Sequence, residues 1–321
     1  MKYLFAFALI AYVNGAFLRA QLTSSTTAEL LQPHEYGGAM GELFLYNQGI
    51  ARSEAMGKTS VAEGNSIVYS LYNPALLSSL KNFEVQAGMM QPNSIYDDGF
   101  NMNFSAGMRY GPRLTSSFTF QRLRSEEFRF TDELGNVVST FRPLDTRVNL
   151  STAYTIVDQP HHKLAAGAGV NYVSSVLYTP IKYAGATVDL GINYRTEIDS
   201  IHHFAIGISA NNLTNQRIWL IDEATGAERV FTLPQVLRSG ISYSYKPTWT
   251  ATKKQLKIIE TTIHGQFDEL INSAYFSTWK AGIEIKLLET LCIRGGYYKG
   301  NGALLTGHYA FTGTDYYDRY E

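Results

Sequence analysis

From Asn82 to the end of the chain, apolar side chains recur at every second position. A period of two is the signature of a strand with one face set apart from the other. Phe83, Val85, Ala87 and Met89 alternate with Glu84, Gln86 and Gly88. Met102, Phe104, Ala106, Met108 and Tyr110 alternate with Asn101, Asn103, Ser105, Gly107 and Arg109. The pattern returns in Leu114–Gln121, Arg147–Ile156, Ala166–Tyr172, Val188–Arg195 and Phe204–Ala210. It continues through Ser239–Tyr245, Ile259–Phe267, Trp279–Leu287 and Leu291–Tyr297, which makes eleven segments, and Gly307–Tyr317 is a weaker twelfth.

These segments run to about ten residues, the length of a tilted strand that crosses a bilayer. Strands of soluble sandwiches are usually about 5–6 residues long. The less apolar rows hold Arg109, Asp189, Arg195, Arg238, Glu284, Lys286 and Arg294. Arginine at the lipid midplane costs about 2–4 kcal/mol, so these rows must face a bore. In hydrocarbon each unpaired backbone group costs several kcal/mol, and a spanning sheet must therefore curl into a barrel. The connections alternate in length, as they do in outer-membrane barrels. Gly111-Pro112, Asp158–His162, Asp199–His203 and Leu288–Thr290 are short; Ser125–Pro143, Tyr178–Ala184, Asn212–Pro234 and Gly300–Thr306 are longer. Pro247–Lys254 breaks the rule, being medium where a short turn is expected. The fold class expected is all-β: a transmembrane outer-membrane antiparallel β-barrel of 12–14 strands. Its N-terminal part is expected to form a plug, or hatch.

Composition narrows the function classes. Charged residues make up 17% of the chain, and 27 Lys+Arg against 28 Asp+Glu leave a net charge of −1. No basic excess marks a nucleic-acid partner. The 22 Tyr and 17 Phe suit the aromatic girdles of a membrane wall. One cysteine, Cys292, excludes an intrachain disulfide and a CxxC metal site.

The first twenty residues read as an export signal: Lys2, an apolar run Tyr3–Val13, then the small residues Gly15, Ala16 and Ala20. Cleavage after Ala20 is expected, with Gly15 as the alternative. The domain plan is then a signal peptide over 1–20, a hatch over 21–81 and a transmembrane barrel over 82–321, in the outer membrane.

Residues 21–81 do not alternate. Ala51–Gly64 is rich in small residues, and Asn73-Pro74-Ala75 has the Asn/Pro chemistry that opens a short helix. Together with Tyr72-Asn73-Pro74-Ala75, the Ala55-Met56-Gly57 turn and the hairpin around Leu287-Leu288-Glu289-Thr290-Leu291 and Arg294-Gly295-Gly296-Tyr297, the chain resembles the PorV/PorQ family of FadL-like outer-membrane proteins. Two features depart from the family. Its usual glycine pair is replaced here by Met56-Gly57-Lys58, and the chain ends without a clean closing strand. The resemblance implies a fourteen-stranded barrel, so that either further strands lie in Ser125–Pro143 or Gln216–Pro234 or the C-terminus is atypical. It also implies that Ala55, Met56, Gly57, Asn73, Pro74 and Ala75 form the hatch motif. The function it implies is a partner- or substrate-binding barrel of type IX protein secretion, with secretion-channel subunits or secreted proteins as partners. Ile218, Trp219 and Leu220 are the candidate partner-binding loop. The alternative is passive transport of hydrophobic small molecules such as long-chain fatty acids. A greasy path would require inward apolar residues near Asn73–Leu77, whereas a protein partner would require exposed loop aromatics. Outer-membrane lipid is a partner on either reading.

No catalytic motif emerges, and neither an enzyme nor a cofactor is expected. A nucleophile elbow, a Walker loop, a Rossmann fingerprint and an EF-hand loop are all missing from the sequence. His161-His162 and His202-His203 fall in short turns, where adjacent side chains diverge and no chelate forms. His264 shares a strand face with Glu260 and Asp268, but that spacing spreads the three over roughly 13 Å. Gly167 and Gly169 read as strand glycines that relieve crowding inside a barrel.

Overall fold

The computed structural model describes residues 45, 49–64, 66–91, 99–125, 127–132, 134–178, 181–214, 217–221, 228–247, 249–251, 254–256, 259–270, 277–288, 291–300 and 307–309. The export signal and its cleavage site lie outside these residues. Strands β1 (Phe83–Met90), β2 (Phe100–Tyr110), β3 (Leu114–Arg124), β4 (Phe128–Thr131), β5 (Val137–Phe141) and β6 (Leu144–Asp158) come first. Next are β7 (His162–Tyr178), β8 (Ile181–Glu197), β9 (His202–Asn211), β10 (Arg217–Ile221), β11 (Glu228–Thr232) and β12 (Val236–Tyr245). The last are β13 (Trp249–Ala251), β14 (Lys254–Leu256), β15 (Ile259–Leu270), β16 (Ser277–Leu287), β17 (Leu291–Gly300) and β18 (Gly307–Tyr309).

Twelve strands form one sheet in the order β1-β2-β3-β6-β7-β8-β9-β12-β15-β16-β17-β18. Every neighbouring pair is antiparallel. The eleven alternating segments each fall on one of these strands; of the weaker twelfth, Gly307–Tyr309 forms β18 and the rest lies outside the described residues. The suspected thirteenth and fourteenth do not join the wall. Ser125–Pro143 holds the hairpin β4–β5 and Gln216–Pro234 holds β10–β11, each a separate two-stranded sheet. The irregular connection after Pro247 holds a third small hairpin, β13–β14.

The wall is inside-out relative to a water-soluble protein. Leu150, Val170, Ile192 and Trp279 stand exposed on one face. Ser105, Gln121, Arg147, Asn149, Asn171, Asp189 and Arg238 are buried on the other, each at most 1% accessible. A continuous apolar exterior of this extent belongs against hydrocarbon. Ten residues at about 3.3 Å each cover roughly 33 Å, and a tilt near 45° reduces this to about 23 Å of height. The fold is thus a transmembrane antiparallel β-barrel of the outer-membrane type. Among the described residues no helix is long and apolar enough to cross a membrane.

The wall is uneven in height. β7 and β8 are 17 residues each, and β9 and β12 are 10 each. The stretch Tyr178–Ala184, expected as a loop, is largely strand: β7 runs to Tyr178 and β8 starts at Ile181, so both strands run on past the membrane. There Ser174 and Ser175 interrupt the apolar rows that lipid contact would demand. β8 pairs with β9 only over Leu190–Glu197. Beyond that point residues 212–214 cover its edge: Leu213 N–H donates to the Val188 carbonyl (2.9 Å), Asn212 N–H to Asp189 Oδ1 (2.8 Å) and the Thr214 hydroxyl to the Ala186 carbonyl (2.7 Å).

The described residues of 49–80 form an inner segment packed against the buried, polar face of the sheet. It comprises helix α1 (Ala51–Ala55) and two 3-10 turns, Ile67–Leu71 and Pro74–Ser79. Its side chains and backbone touch β1, β8, β9, β15, β16 and β17, so strands from both ends and the middle of the sheet surround one short stretch. Among the described residues no ladder joins β18 to β1.

Candidate functional site between the inner segment and the wall

Three cross-strand glycine pairs make room for the inner segment. Gly167 faces Gly191, Gly207 faces Gly240 and Gly282 faces Gly296. A β-carbon on Gly191 would lie 2.0 Å from Asn73 Oδ1, and one on Gly167 would lie 2.4 Å from the Ala75 nitrogen. On Gly207 it would meet the Val61 carbonyl oxygen at 2.0 Å, and on Gly282 the Met56 carbonyl oxygen at 2.4 Å. Every one of these contacts is far inside van der Waals range, so these strand positions tolerate no side chain. The crowding that Gly167 relieves is therefore the close approach of Pro74-Ala75.

The six residues of the expected hatch motif sit at these contacts or beside them. Asn73 is fully buried. Its Oδ1 accepts from Ala75 N–H (3.0 Å), capping the 3-10 turn that Pro74 opens. Its Nδ2 donates to the carbonyls of Val61 (2.9 Å) and of Ile192 on β8 (3.1 Å). One amide thereby joins two parts of the inner segment to the wall. Ala55 ends α1, Met56 is fully buried, and Gly57 turns the chain at φ +65°. Lys58 follows at φ +63°, a left-handed conformation that an L side chain adopts at a cost. It belongs to Met56-Gly57-Lys58, the stretch that stands in place of the family's glycine pair. Here Lys58 Nζ lies 3.9 Å from Glu54 and 4.7 Å from the centre of the Tyr298 ring.

Wall side chains satisfy the backbone of the inner segment throughout. Gln266 Oε1 accepts from the N–H groups of Ser60 (2.7 Å) and Val61 (3.0 Å). Asn193 donates to the Ala62 carbonyl (2.7 Å), Ser209 to the Tyr72 carbonyl (2.7 Å) and Arg109 to the Leu80 carbonyl (3.2 Å). Arg52 makes a two-point bond to Glu284, 2.9 Å at each oxygen, and Glu284 also accepts from Arg294. Ser242 and Ser244 both donate to Glu63. A buried peptide group left unpaired would cost about 1–3 kcal/mol, so this lining fixes both the position and the path of the segment.

Further buried charges pair within the wall. Arg147 pairs with Asp189 (3.0 Å), and Asp268 takes both Arg238 (3.4 Å) and Lys280. Glu260 pairs with Lys246 (2.8 Å). Both carboxylates that share a face with His264 are thus committed elsewhere. Among the described residues no three His, Cys, Asp or Glu side chains converge on a metal position.

A cavity of about 800 Å3 lies between the inner segment and β1, β7, β8, β9 and β12. The inner segment lines it with Ile67, Leu76, Leu77 and Leu80 and with the polar Glu63, Ser66 and Ser79; the wall adds Phe83, Phe204 and Ala205. Lys81, Lys163, Arg195 and Lys246 bring positive charge, and Glu63, Glu84 and Glu197 bring negative. Pro160, His161 and His203 also line it, which puts it at the short-turn end of the bore. At the long-loop end Leu45, Val173 and Leu233 form an apolar cluster with Leu123 against it. Tyr69, Leu71, Tyr72 and Leu76 form another within the segment itself.

The adjacent histidines diverge as a strand requires. His161 and His203 line the cavity, whereas His162 and His202 turn outward onto tyrosines. In the turn between β8 and β9, Asp199 accepts the N–H groups of Ile201 (2.8 Å) and His202 (2.7 Å). Those two bonds hold its pKa below the usual carboxylate range. Asp132 plays the same part between β4 and β5: the side-chain amide and then the backbone N–H of Asn136 depress its pKa. The candidate partner-binding residues Ile218, Trp219 and Leu220 lie on β10, opposite Phe231, Val230 and Arg229. Their side chains lie outside the described residues.

Sequence reasoning missed the three glycine pairs and the cavity. Gly167 stood out singly; only the register of the ladder pairs such glycines, and only the fold brings residues 67 and 204 to one cavity.

No family model matches the chain. No curated protein matches it either. Among solved structures, the chain is similar to the CymD monoaromatic hydrocarbon channel, at 10% identity and a TM-score of 0.43, over 78% of this chain and 91% of that one. It is also similar to the TodX deltaS2S3 mutant monoaromatic hydrocarbon channel, at 11% identity and a TM-score of 0.45, over 77% of this chain and 82% of that one.

Proposed function

We propose that this barrel binds a hydrophobic small molecule between its inner segment and its wall and passes it across the outer membrane, with the inner segment acting as the hatch. The observation that carries this reading is the lining of the cavity. Ile67, Leu76, Leu77 and Leu80 present an apolar face to about 800 Å3 of space. These are the inward apolar residues around Asn73–Leu77 that a greasy path requires. The rest of the lining is largely polar and includes seven charged side chains, so this apolar face is where the hydrophobic body of a ligand would lie. The hatch fills the middle of the bore with Tyr69, Leu71 and Tyr72, which favours selective passage with hatch movement over a standing aqueous pore. The secretion reading draws on a different feature, the hairpin β10–β11 standing outside the wall ladder.

The test is binding of N-phenyl-1-naphthylamine, whose fluorescence rises in apolar surroundings, to the purified barrel. The expected result is saturable binding that weakens at least about tenfold when Leu77→Asp puts a carboxylate on the apolar face, a loss of roughly 1.4 kcal/mol or more. Saturable binding equally strong in wild type and Leu77→Asp would contradict the site, and no binding at all would contradict the function.

A further inference from the structure

Three consecutive short-turn hairpins repeat one motif on the outside of the wall. Arg113, at the start of β3, reaches the hydroxyl of Tyr154 on β6 (3.5 Å). His162, at the start of β7, has Nδ1 2.8 Å from the hydroxyl of Tyr194 on β8. His202, at the start of β9, has Nδ1 2.7 Å from the hydroxyl of Tyr243 on β12. The two histidines share a geometry. His162 pairs in register with Thr196 and leans onto Tyr194, two residues along; His202 pairs with Tyr245 and leans onto Tyr243. The rings stack at 6.2 Å and 10° in the first case and at 6.0 Å and 21° in the second.

Each tyrosine lies near the short-turn end of a lipid-facing row, with Ile156 following Tyr154 and Tyr245 following Tyr243. Ile192 and Leu190 lead away from Tyr194 toward the membrane centre, and Thr152 and Leu150 lead away from Tyr154. The motif therefore lies where hydrocarbon gives way to headgroups, on the short-turn side. A tyrosine there serves both phases, its ring against acyl chain and its hydroxyl toward water. Ordinary girdle tyrosines need no fixed base beside them, and here a base is held against each of three. When the phenol donates to Nδ1, the imidazole proton sits on Nε2 and leaves that nitrogen a donor. Arg113 keeps further guanidinium N–H groups. Neighbouring motifs are two strands apart, roughly 10 Å along the rim. The acidic groups nearby are Asp199, 4.0 Å from His202 Nε2, and Asp158, paired with Lys163 at 3.6 Å.

The geometry points to a phospholipid-binding rim: each base–tyrosine pair receives the phosphodiester headgroup of one inner-leaflet lipid, the base donating to phosphate and the phenol ring lying along the glycerol and upper acyl chain. This surface is on the outer side of the wall, apart from the cavity, so its test is independent of the transport reading.

The experiment is native mass spectrometry of the barrel in dodecyl maltoside, with dioleoylphosphatidylglycerol or the headgroup-free dioleoylglycerol added. Wild type is expected to retain up to three phosphatidylglycerol molecules and little dioleoylglycerol. Replacing Arg113, His162 and His202 together by alanine should weaken retention about tenfold or more, as loss of charge-assisted or phosphate hydrogen bonds does. Heat-modifiable gel mobility checks that the variant is folded; if it is not, His202→Ala alone should lose one bound lipid. Excess inorganic phosphate should leave the lipid bound. Equal retention of the two lipids, retention unchanged in the folded variants, or displacement by inorganic phosphate would each overturn the assignment.

Discussion

Gly57 and Gly296 meet backbone to backbone: a β-carbon added to Gly296 would lie 1.9 Å from the Gly57 nitrogen. The wall of β17 and the turn after α1 are thus in contact with no side chain between them. Gly296→Ala should force the two apart. Overpacking of this kind costs about 1–3 kcal/mol. The strands of the wall bond to one another without the inner segment, so the cost should fall on the segment. The expected outcome is faster protease cleavage within residues 49–80 of the folded variant, with unchanged β-sheet circular dichroism.

Asn73 is the second anchor. Its amide makes three hydrogen bonds in a fully buried position. Asn73→Asp keeps the oxygen that caps the 3-10 turn and removes both donors to carbonyls. Leaving a buried carboxylate against the carbonyls of Val61 and Ile192 should cost at least as much as Asn73→Ala, about 1–3 kcal/mol. Urea-dependent release of the inner segment, followed by a fluorophore attached at Ser66, would show both variants released earlier, the aspartate no later than the alanine.

Lys58 sits in left-handed backbone at φ +63°. Glycine there would relieve roughly 1–2 kcal/mol of backbone cost. It would also remove the charge beside Glu54 and the Tyr298 ring. Lys58→Gly should therefore be close to neutral, and Lys58→Val, which keeps the backbone cost and loses the charge, should be clearly destabilising. The same release assay separates the two.

Much of the wall is legible in the sequence because lipid acts on every second residue. Phe83, Val85 and Met89, or Val148 and Leu150, carry the pattern whatever their neighbours do. Where the strands leave the membrane, that demand stops, and Ser174 and Ser175 no longer signal that β7 continues. The inner segment is legible only as a place where alternation fails. Its anchors, the paired glycines, depend on ladder register, which the order of residues does not contain. His162 and His202 could have been flagged earlier, since each keeps the parity of the lipid-facing row that follows it. Read singly they look like solvated turn residues.

Asp199 supplies a pH-dependent prediction. Its pKa is depressed in the folded turn by the N–H groups of Ile201 and His202. A depressed carboxylate stabilises the fold fully above its unfolded value of about 3.9, and that contribution is lost as pH falls through the lower folded value. Amide exchange at Ile201 and His202, corrected for its intrinsic pH dependence, should therefore rise only below about pH 4. In Asp199→Ala it should be raised at every pH and show no such step.

The account rests on which side of the wall meets lipid. With Cys292 replaced by serine, single cysteines at Leu150, Val170 and Ile208 can carry a nitroxide label in the barrel reconstituted in phosphatidylcholine vesicles. A label at Gln159, in the turn after β6, serves as the aqueous reference. The account predicts strong collision with dissolved oxygen at the three strand positions, with a water-soluble nickel chelate excluded from them and admitted at Gln159. Nickel collisions at Leu150, Val170 and Ile208 as frequent as at Gln159 would contradict it.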